Sequence, residues 1–239
     1  MVWVGVFVAV AVASAAQTLS GFGYALIATP LVAVLVGPKE AVVGLTIAGL
    51  LLVAQLASRD RGSVVRRVVL IVTLAAFVGM PLGLLVLERA DERTLTLCIA
   101  VAVIAFALLL WRGLRLPERP ATDAVAGFTA GILSTSTGTS GPPIVIALST
   151  KDLLPAQFRS TISTIFLIQG AVSLIGFAAV GRITSDALSV ALAAIPGVVV
   201  GSIVGERGFR RLDRERFRRV VLAMLLISGV VALIAALAS

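Results

Sequence analysis

The chain has 239 residues, of which 59% are apolar and only 13% are charged, and its mean hydropathy is +1.11. Soluble domains average about 25% charged residues, whereas apolar runs long enough to cross a bilayer recur along this whole sequence. The composition therefore predicts an all-α polytopic membrane protein. The net charge of +8 does not indicate nucleic-acid binding, because the arginines lie in short loops between apolar segments.

The apolar segments, in chain order, cover residues 2–17, 24–36, 41–57, 68–87, 95–111, 124–133, 142–149, 160–180, 187–205 and 220–238. The first resembles a signal peptide but lacks a positively charged start, so we interpret it as a retained helix. Polar or glycine-rich stretches interrupt the chain twice, as "QTLSGFGY" at 17–24 and "STSTGTSG" at 134–141. The pieces at 124–133 and 142–149 are each too short to cross a hydrocarbon core of roughly 30 Å.

The two halves of the chain carry related residues at a nearly constant spacing, which indicates an internal repeat. The matching residues are 117 or 118 positions apart: Gly23 and Gly141, Pro38 and Pro155, Thr46 and Thr164, and the GxxxG pairs Gly79/Gly83 and Gly197/Gly201. We predict a first repeat at residues 1–115 and a second at 121–239, which together form one transmembrane domain. The GxxxG pairs predict close helix packing rather than chemistry.

The distribution of Lys and Arg distinguishes two topologies. If each interrupted segment crosses the membrane once, these residues divide eight against twelve between the two sides. If each enters and returns as a hairpin, sixteen fall on one side, and only Lys39, Arg89, Arg93 and Arg182 fall on the other. The positive-inside rule favours the hairpins.

With hairpins, each half is a re-entrant helical hairpin followed by three transmembrane helices. Because that makes an odd number of crossings, the second half starts on the opposite side, and the halves are two inverted repeats. Both termini would then lie outside and the basic loops in the cytoplasm. Inverted repeats with interrupted helices near the membrane midplane are a recurrent plan of secondary transporters.

The two interruptions form the candidate substrate site, because irregular backbone at membrane depth must be buried in protein or line a wet cavity. Hydroxyls can donate to a substrate, and glycines let the backbone approach it. The short helix that begins at Pro142 and Pro143 would point its positive end at the second interruption, which suits an anion. The candidate binding residues are Gln17, Ser20, Gly21, Gly23, Tyr24, Ser136, Thr137, Gly138, Thr139, Ser140, Gly141 and Arg159.

Other roles remain open for some of these residues. The hydroxyls of this stretch, with those of Ser134 and Thr135, could instead cap helix ends or bond to nearby carbonyls. Arg159 could face the cavity and attract anions, or it could be an ordinary basic anchor at the membrane surface.

Four features of the sequence resemble the sulfite exporter TauE/SafE family of bacterial inner-membrane proteins. They are "SGFGYALIATPLV" at 20–32, "GTSGPPIVIAL" at 138–148, "FRSTISTIFLIQ" at 158–169, and the GxxxG pair of the penultimate helix in each half. The resemblance runs over essentially the whole chain. It implies a multi-pass transporter of a small anion such as sulfite, an organosulfonate or a related sulfur oxyanion.

The sequence has no His, one Cys and no acidic residue deep in an apolar run. We therefore expect no metal site, no cofactor, no membrane-embedded enzyme and no dedicated proton-coupling carboxylate, so transport would be facilitated or would carry a proton on the substrate. No Walker-type phosphate loop is present, which argues against ATP-driven transport. A transporter of a cation or neutral solute, a non-transporting membrane scaffold, and homodimer formation remain open. The expected partners are a small anionic substrate and the lipid bilayer, and no nucleic acid.

Overall fold

The computed structural model describes residues 2–59, 63–112 and 117–209, together with residues 230, 231, 233, 234 and 237 near the C-terminus. All regular secondary structure in these described ranges is helical, and six of their helices are long and apolar enough to cross a membrane. This confirms the predicted all-α, multi-pass architecture. The segment predicted at 220–238 lies outside the described residues except for the five C-terminal positions.

The described ranges contain nine helices: α1 (Val2–Ser20), α2 (Tyr24–Val36), α3 (Pro38–Arg59), α4 (Arg66–Arg89), α5 (Glu92–Arg112), α6 (Pro120–Ser136), α7 (Gly141–Ser149), α8 (Pro155–Ala179) and α9 (Ser185–Phe209). The two interrupted segments are α1–α2 and α6–α7. Proline is the first residue of α3, α6 and α8, where its missing N–H costs no intrahelical hydrogen bond.

Each interrupted segment folds as a hairpin whose two arms run side by side. Gly5, near the start of α1, lies against the Leu35 side chain near the end of α2. Lys151, just after α7, forms an ion pair with Asp123 near the start of α6, with Nζ and Oδ2 3.1 Å apart. The two ends of each segment therefore lie on the same side of the helix bundle. This confirms the hairpin interpretation over single crossings.

The other helices connect the two sides of the bundle. Lys39 Nζ at the start of α3 donates to the carbonyl oxygen of Glu88 at the end of α4, at 3.5 Å. Val65 N, just before α4, donates to Thr161 Oγ1 near the start of α8, at 3.0 Å. We call the side that holds the starts of α4, α6 and α8 the basic side, because most Lys and Arg of the described ranges lie there. Its assignment to the cytoplasm stays a prediction.

Two seams of glycine join the halves of the chain. Along α4, a Cβ added at Gly83 would overlap the backbone carbonyl of Ile132 in α6. Along α9, a Cβ added at Gly201 would overlap the backbone carbonyl of Ala11 in α1. The GxxxG pairs thus act in close packing, as predicted, and a helix of the opposite half packs along the first arm of each hairpin. This reciprocal packing is what two structurally related halves would produce, but the inverted repeat and its bounds stay predictions.

The interruptions are shorter than the sequence suggested. Only residues 21–23 and 137–140 leave the helical path, so Ser134–Ser136 form the last turn of α6. The hydroxyls that donate to the carbonyl four residues earlier are those of Thr18, Ser20, Ser136 and Thr137. Because these bonds satisfy the hydroxyls within the helix, a run of Ser and Thr does not end it. The chain departs at Gly21 and Gly138, whose φ angles of 85° and 69° suit glycine.

The sequence led us to expect that the two hairpin tips meet halfway along the bundle. In the structure they do not. The first tip, at Gly21, packs against Arg159 and Ile162 in the first turns of α8, close to the basic side. The second tip, at Gly138, packs against Val42 near the start of α3, close to the opposite side. The hairpins therefore extend past each other, and the space between them lies along the middle of α3.

Candidate functional site

A cavity of about 80 Å³ lies between the two hairpins, α3 and α8. Roughly 10–15 Å³ of such space holds one water, so the cavity has room for a small polyatomic solute. Along α3 it extends from Val42 to Val53, which corresponds to about 16 Å of helix. The polar side chains that line it belong to Gln17, Tyr24, Thr29, Thr46, Ser134 and Ser140.

Gln17, near the end of α1, offers hydrogen-bond donors to this cavity. Its Oε1 accepts from Tyr24 N, the first N–H of α2, at 2.9 Å. A backbone N–H can only donate, so this bond fixes which end of the carboxamide is the oxygen. The NH₂ end is therefore left to donate. The same bond satisfies one of the N–H groups that the start of a helix leaves unpaired.

Tyr24 and Thr29 of α2 line the same cavity, and the hydroxyl of each has no hydrogen-bond partner among the described residues. Their side chains belong to residues only 5% and 1% exposed, and neither Tyr24 Oη nor Thr29 Oγ1 has a hydrogen-bond partner. A buried hydroxyl without a partner costs about 1–3 kcal/mol, so a bound group that accepts from these hydroxyls is favoured. Gly49 on α3 makes room for the tyrosine, because a Cβ there would lie 2.9 Å from Tyr24 Cε1.

The second hairpin contributes the start of α7. Gly138, Ser140 and Gly141 line the cavity, and the Ser140 hydroxyl makes no capping bond to the helix. The start of α7 carries the partial positive charge that the sequence predicted. However, Pro142 and Pro143 have no N–H, so this helix start offers fewer backbone donors than an ordinary one.

Most of the remaining hydroxyls of the second interruption are bonded to the protein itself. Ser136 donates to Ile132 O at 2.7 Å, and Thr137 donates to Leu133 O at 3.0 Å. Thr137 and Thr139 also share a hydrogen bond of 2.6 Å. None of these three hydroxyl residues lines the cavity. The role left open from the sequence, bonding to nearby carbonyls, therefore describes Ser136 and Thr137.

Two lining hydroxyls already have partners. Ser134 Oγ lies 3.0 Å from Ser173 Oγ on α8, which ties the second hairpin to that helix. Thr46 Oγ1 donates to Val42 O at 2.7 Å, so it presents only lone pairs to a ligand. The donors left for a ligand are thus concentrated on Gln17, Tyr24, Thr29 and Ser140.

The structure divides the twelve candidate residues into two equal groups. The residues that line the cavity are Gln17, Gly23, Tyr24, Gly138, Ser140 and Gly141. The residues that do not line it are Ser20, Gly21, Ser136, Thr137, Thr139 and Arg159. The Ser20 hydroxyl bonds to backbone at Ala16 and Phe22.

Thr29, Thr46 and Gly49 line the cavity but were not among the candidates. Each stands alone in an apolar run, where the sequence gives no sign of which side of the helix faces the cavity. The match between Thr46 and Thr164 in the repeat was the one available signal for Thr46.

No charged side chain belongs to the described residues that line the cavity. Within the described ranges, no group of three His, Cys, Asp or Glu residues could hold a metal ion. Although no acidic residue lies deep in an apolar run of the sequence, Asp123 is buried in the structure and only 4% exposed. It escaped notice since it lies in the first turn of α6, at the edge of an apolar run. There it pairs with Lys151, away from the cavity.

The chain matches a family model and one described relative. The model, described as sulfite exporter TauE/SafE, matches residues 6–232. A relative named probable sulfite/organosulfonate exporter TauE, from Cupriavidus necator strain H16, is 27% identical over 153 residues. That match covers 60% of this chain and 59% of the relative, which is less than two thirds of the relative's length.

No solved structure matches the chain. The members of the matched family are transporters, not enzymes. Since the family model covers nearly all of the chain, as the four resembling features implied, this multi-pass membrane protein belongs to the sulfite exporter TauE/SafE family.

Proposed function

We propose that this protein is a secondary transporter that carries a small anion across the bacterial inner membrane. Its substrate would be sulfite, an organosulfonate or a related sulfur oxyanion, the classes that the names of the family and of the relative contain. The anion binds in the cavity between the two hairpins. We further propose that the basic side faces the cytoplasm, with both termini outside, because cytoplasmic loops carry the excess of Lys and Arg.

One observation carries this proposal: several side chains that line the cavity have donors without a partner. The bond from Tyr24 N to Gln17 Oε1 leaves the amide NH₂ of Gln17 for a ligand. The hydroxyls of Tyr24 and Thr29 lack partners, and that of Ser140 makes no capping bond. The oxygens of a sulfonate are all acceptors and those of sulfite are mostly so, and both therefore complement such a set. The described lining residues offer a cation hydroxyl lone pairs but no carboxylate, and carboxylates are the strongest protein ligands for hard cations.

Helix dipoles add to these donors. The starts of both α2 and α7 border the cavity, at Tyr24 and Gly141. Each helix start carries about half a positive elementary charge. Two such ends, supplied by different hairpins, favour an anion without any cationic side chain. Because the hairpins enter from opposite sides of the bundle, a relative shift of either one would open the cavity to its own side.

The driving force does not require a carboxylate in the cavity. An inside-negative potential favours the outward movement of each negative charge by about 2.3 kcal/mol per 100 mV. A proton could also travel on the substrate, since sulfite titrates near neutral pH. Transport is therefore facilitated or substrate-protonated.

Flux in proteoliposomes tests the proposal. Radiolabelled sulfite uptake would be measured for the unchanged protein and for Tyr24→Phe, which keeps the ring against Gly49 but removes an unpartnered hydroxyl. A hydrogen bond to a charged group contributes about 1.5–3 kcal/mol, so half-saturation should rise roughly 10–150-fold. Ser140→Ala should act in the same direction. The matched control is Ser136→Ala, whose lost hydroxyl bonds only within α6, and it should transport normally.

Two results would contradict the proposal. Flux equal to that of empty liposomes, for every sulfur oxyanion tried, would remove the substrate class. Equal half-saturation in Tyr24→Phe, Ser140→Ala and Ser136→Ala would remove the cavity as the binding site. Saturable flux of a cation or a neutral solute, with no anion flux, would favour the alternative transporter class.

A further inference from the structure

We infer that the cavity selects singly charged anions, and that it takes a sulfonate bearing a short apolar group in preference to a doubly charged oxyanion. This inference rests on the proposed function, because it concerns the same cavity. It concerns the charge and shape of the substrate, which the names of the family and of the relative do not state.

The first step concerns charge. The described residues that line the cavity include no Lys, Arg, Asp or Glu. Arg159, the basic candidate of the sequence, packs against Gly21 at the first hairpin tip and does not line the cavity. Recognition therefore relies on neutral donors and on the two helix starts. The cost of removing an ion from water grows with the square of its charge, and a full countercharge is needed to offset it for a dianion.

The second step concerns shape. The stretch of cavity between the polar groups has an apolar wall, formed by Leu26, Val42, Leu45, Leu50, Val53 and Phe166. Leu26 is 1% exposed, Val42 is 1% exposed and Leu45 is 2% exposed, so this wall is held in fixed positions by packing. A tetrahedral dianion such as sulfate, or the pyramidal sulfite dianion, has no apolar group to place against this wall. A sulfonate satisfies the donors with its oxygens and places its carbon substituent against the wall, where burial is favourable.

The absence of a charged side chain among the described lining residues also determines which ionic form of sulfite binds in this site. Sulfite is a dianion above its second pKa and a monoanion, HSO₃⁻, below it. The cavity takes HSO₃⁻, which has gained its proton from solution before binding. Apparent affinity for total sulfite therefore rises as the pH falls through that pKa. Methanesulfonate carries one negative charge over the whole range, so its affinity stays flat.

A competition experiment tests these statements. Binding of radiolabelled methanesulfonate to the purified full-length protein would be competed with ethanesulfonate, propanesulfonate, sulfate and sulfite. We expect each added methylene to improve competition by about fourfold until the cavity is full. Sulfate should compete at least about tenfold more weakly than methanesulfonate. Sulfite should compete about tenfold better one pH unit below its second pKa than one unit above it.

A charge-insertion variant gives a second, independent readout. Leu50→Lys would place a positive charge within the cavity. The affinity of sulfate relative to that of methanesulfonate, measured by competition, should therefore rise. The matched control is Gln55→Lys on the same helix, at an exposed position that does not line the cavity, where the ratio should not change. The competition series on the unchanged protein decides the question even if Leu50→Lys fails to fold.

The outcomes separate this inference from the proposed function. Equal competition by sulfate and methanesulfonate, or sulfite competition that does not vary with pH, would overturn the charge selection while leaving an anion transporter. Competition that is flat from methanesulfonate to propanesulfonate would overturn the role of the apolar wall. Absence of binding by every anion, in protein that is folded and monodisperse, would instead contradict the proposed function itself.

Discussion

Replacing Gly83 by Ala tests the seam that holds the second hairpin. A Cβ at this position would overlap the carbonyl oxygen of Ile132 and the Thr135 hydroxyl. A backbone carbonyl cannot move away by a rotamer change, as a flexible side chain can. Helices α4 and α6 must therefore move apart to accommodate the new methyl group. Overpacking of this kind costs about 1–3 kcal/mol. Loss of the hydrogen bond from Thr135 to Met80 O, now 2.7 Å, adds about 1 kcal/mol.

A gain in helix propensity offsets part of this cost. Alanine is favoured over glycine within a helix by about 1 kcal/mol, so the net destabilisation from Gly83→Ala is about 1–3 kcal/mol. The control is Gly176→Ala in α8, where the new Cβ would make an ordinary contact of 3.5 Å with Leu84. There only the propensity gain remains, and the protein should become more stable by up to about 1 kcal/mol.

The assay is equilibrium unfolding in mixed micelles, followed by circular dichroism for both variants and the unchanged protein. The expected order of stability is Gly176→Ala, then the unchanged protein, then Gly83→Ala. The seam would be refuted if Gly83→Ala were as stable as Gly176→Ala.

Three further predictions follow from the same contacts. Gly49→Ala should displace the Tyr24 ring, because Tyr24 Cε1 would lie 2.9 Å from the new Cβ. The hydrogen bond from the Tyr24 hydroxyl to the anion would weaken, so the substrate concentration for half-maximal flux should rise roughly tenfold. Gly176→Ala is the control, and equal half-saturation in the two variants would contradict this prediction. Asp123→Ala should lower the free energy of unfolding by about 1.5–3 kcal/mol, because the 10%-exposed Lys151 side chain then keeps only the exposed Glu118 carboxylate, 3.9 Å away. The double change Asp123→Leu with Lys151→Met should cost less than the single one, as measured by the same unfolding assay, and additive losses would argue against a buried pair. Gln17→Leu should weaken anion binding in an equilibrium assay more than Ser20→Ala does, because only Gln17 lines the cavity; the reverse order would contradict the assigned donor set.

The course of the chain could be predicted from coarse features of the sequence. The positions of Lys and Arg favoured hairpins before any contact was known, and the contacts of Gly5 with Leu35 and Lys151 with Asp123 bear this out. Charge asymmetry works because the energetic cost of placing a cation is set by the side of the membrane, not by local packing. The GxxxG pairs were equally informative, since close helix approach leaves room only for hydrogen at Cα.

The chemistry of the site was less predictable. The Ser- and Thr-rich stretch drew attention to hydroxyls such as that of Ser136, which bond to the preceding turn. A hydroxyl can donate to a nearby backbone carbonyl or remain free to bind a ligand, and the sequence does not distinguish these two cases. Thr29 was missed for the converse reason, because a single hydroxyl in an apolar helix gives no signal until the helix is oriented. Asp123 was missed because its burial depends on Lys151, which is distant in the sequence.

Cysteine protection would show whether the cavity between the hairpins holds the transported anion. Val53→Cys places a thiol on the apolar wall without removing any donor, in a chain whose own Cys98 is replaced by Ala. The rate of reaction with a neutral maleimide would be measured against increasing methanesulfonate, with the exposed Cys98 of the unchanged protein as the control. If the anion binds in this cavity, methanesulfonate slows labelling at position 53, with the same concentration dependence as flux, and does not change labelling of Cys98. Labelling at position 53 that stays unchanged at concentrations saturating for flux would contradict it.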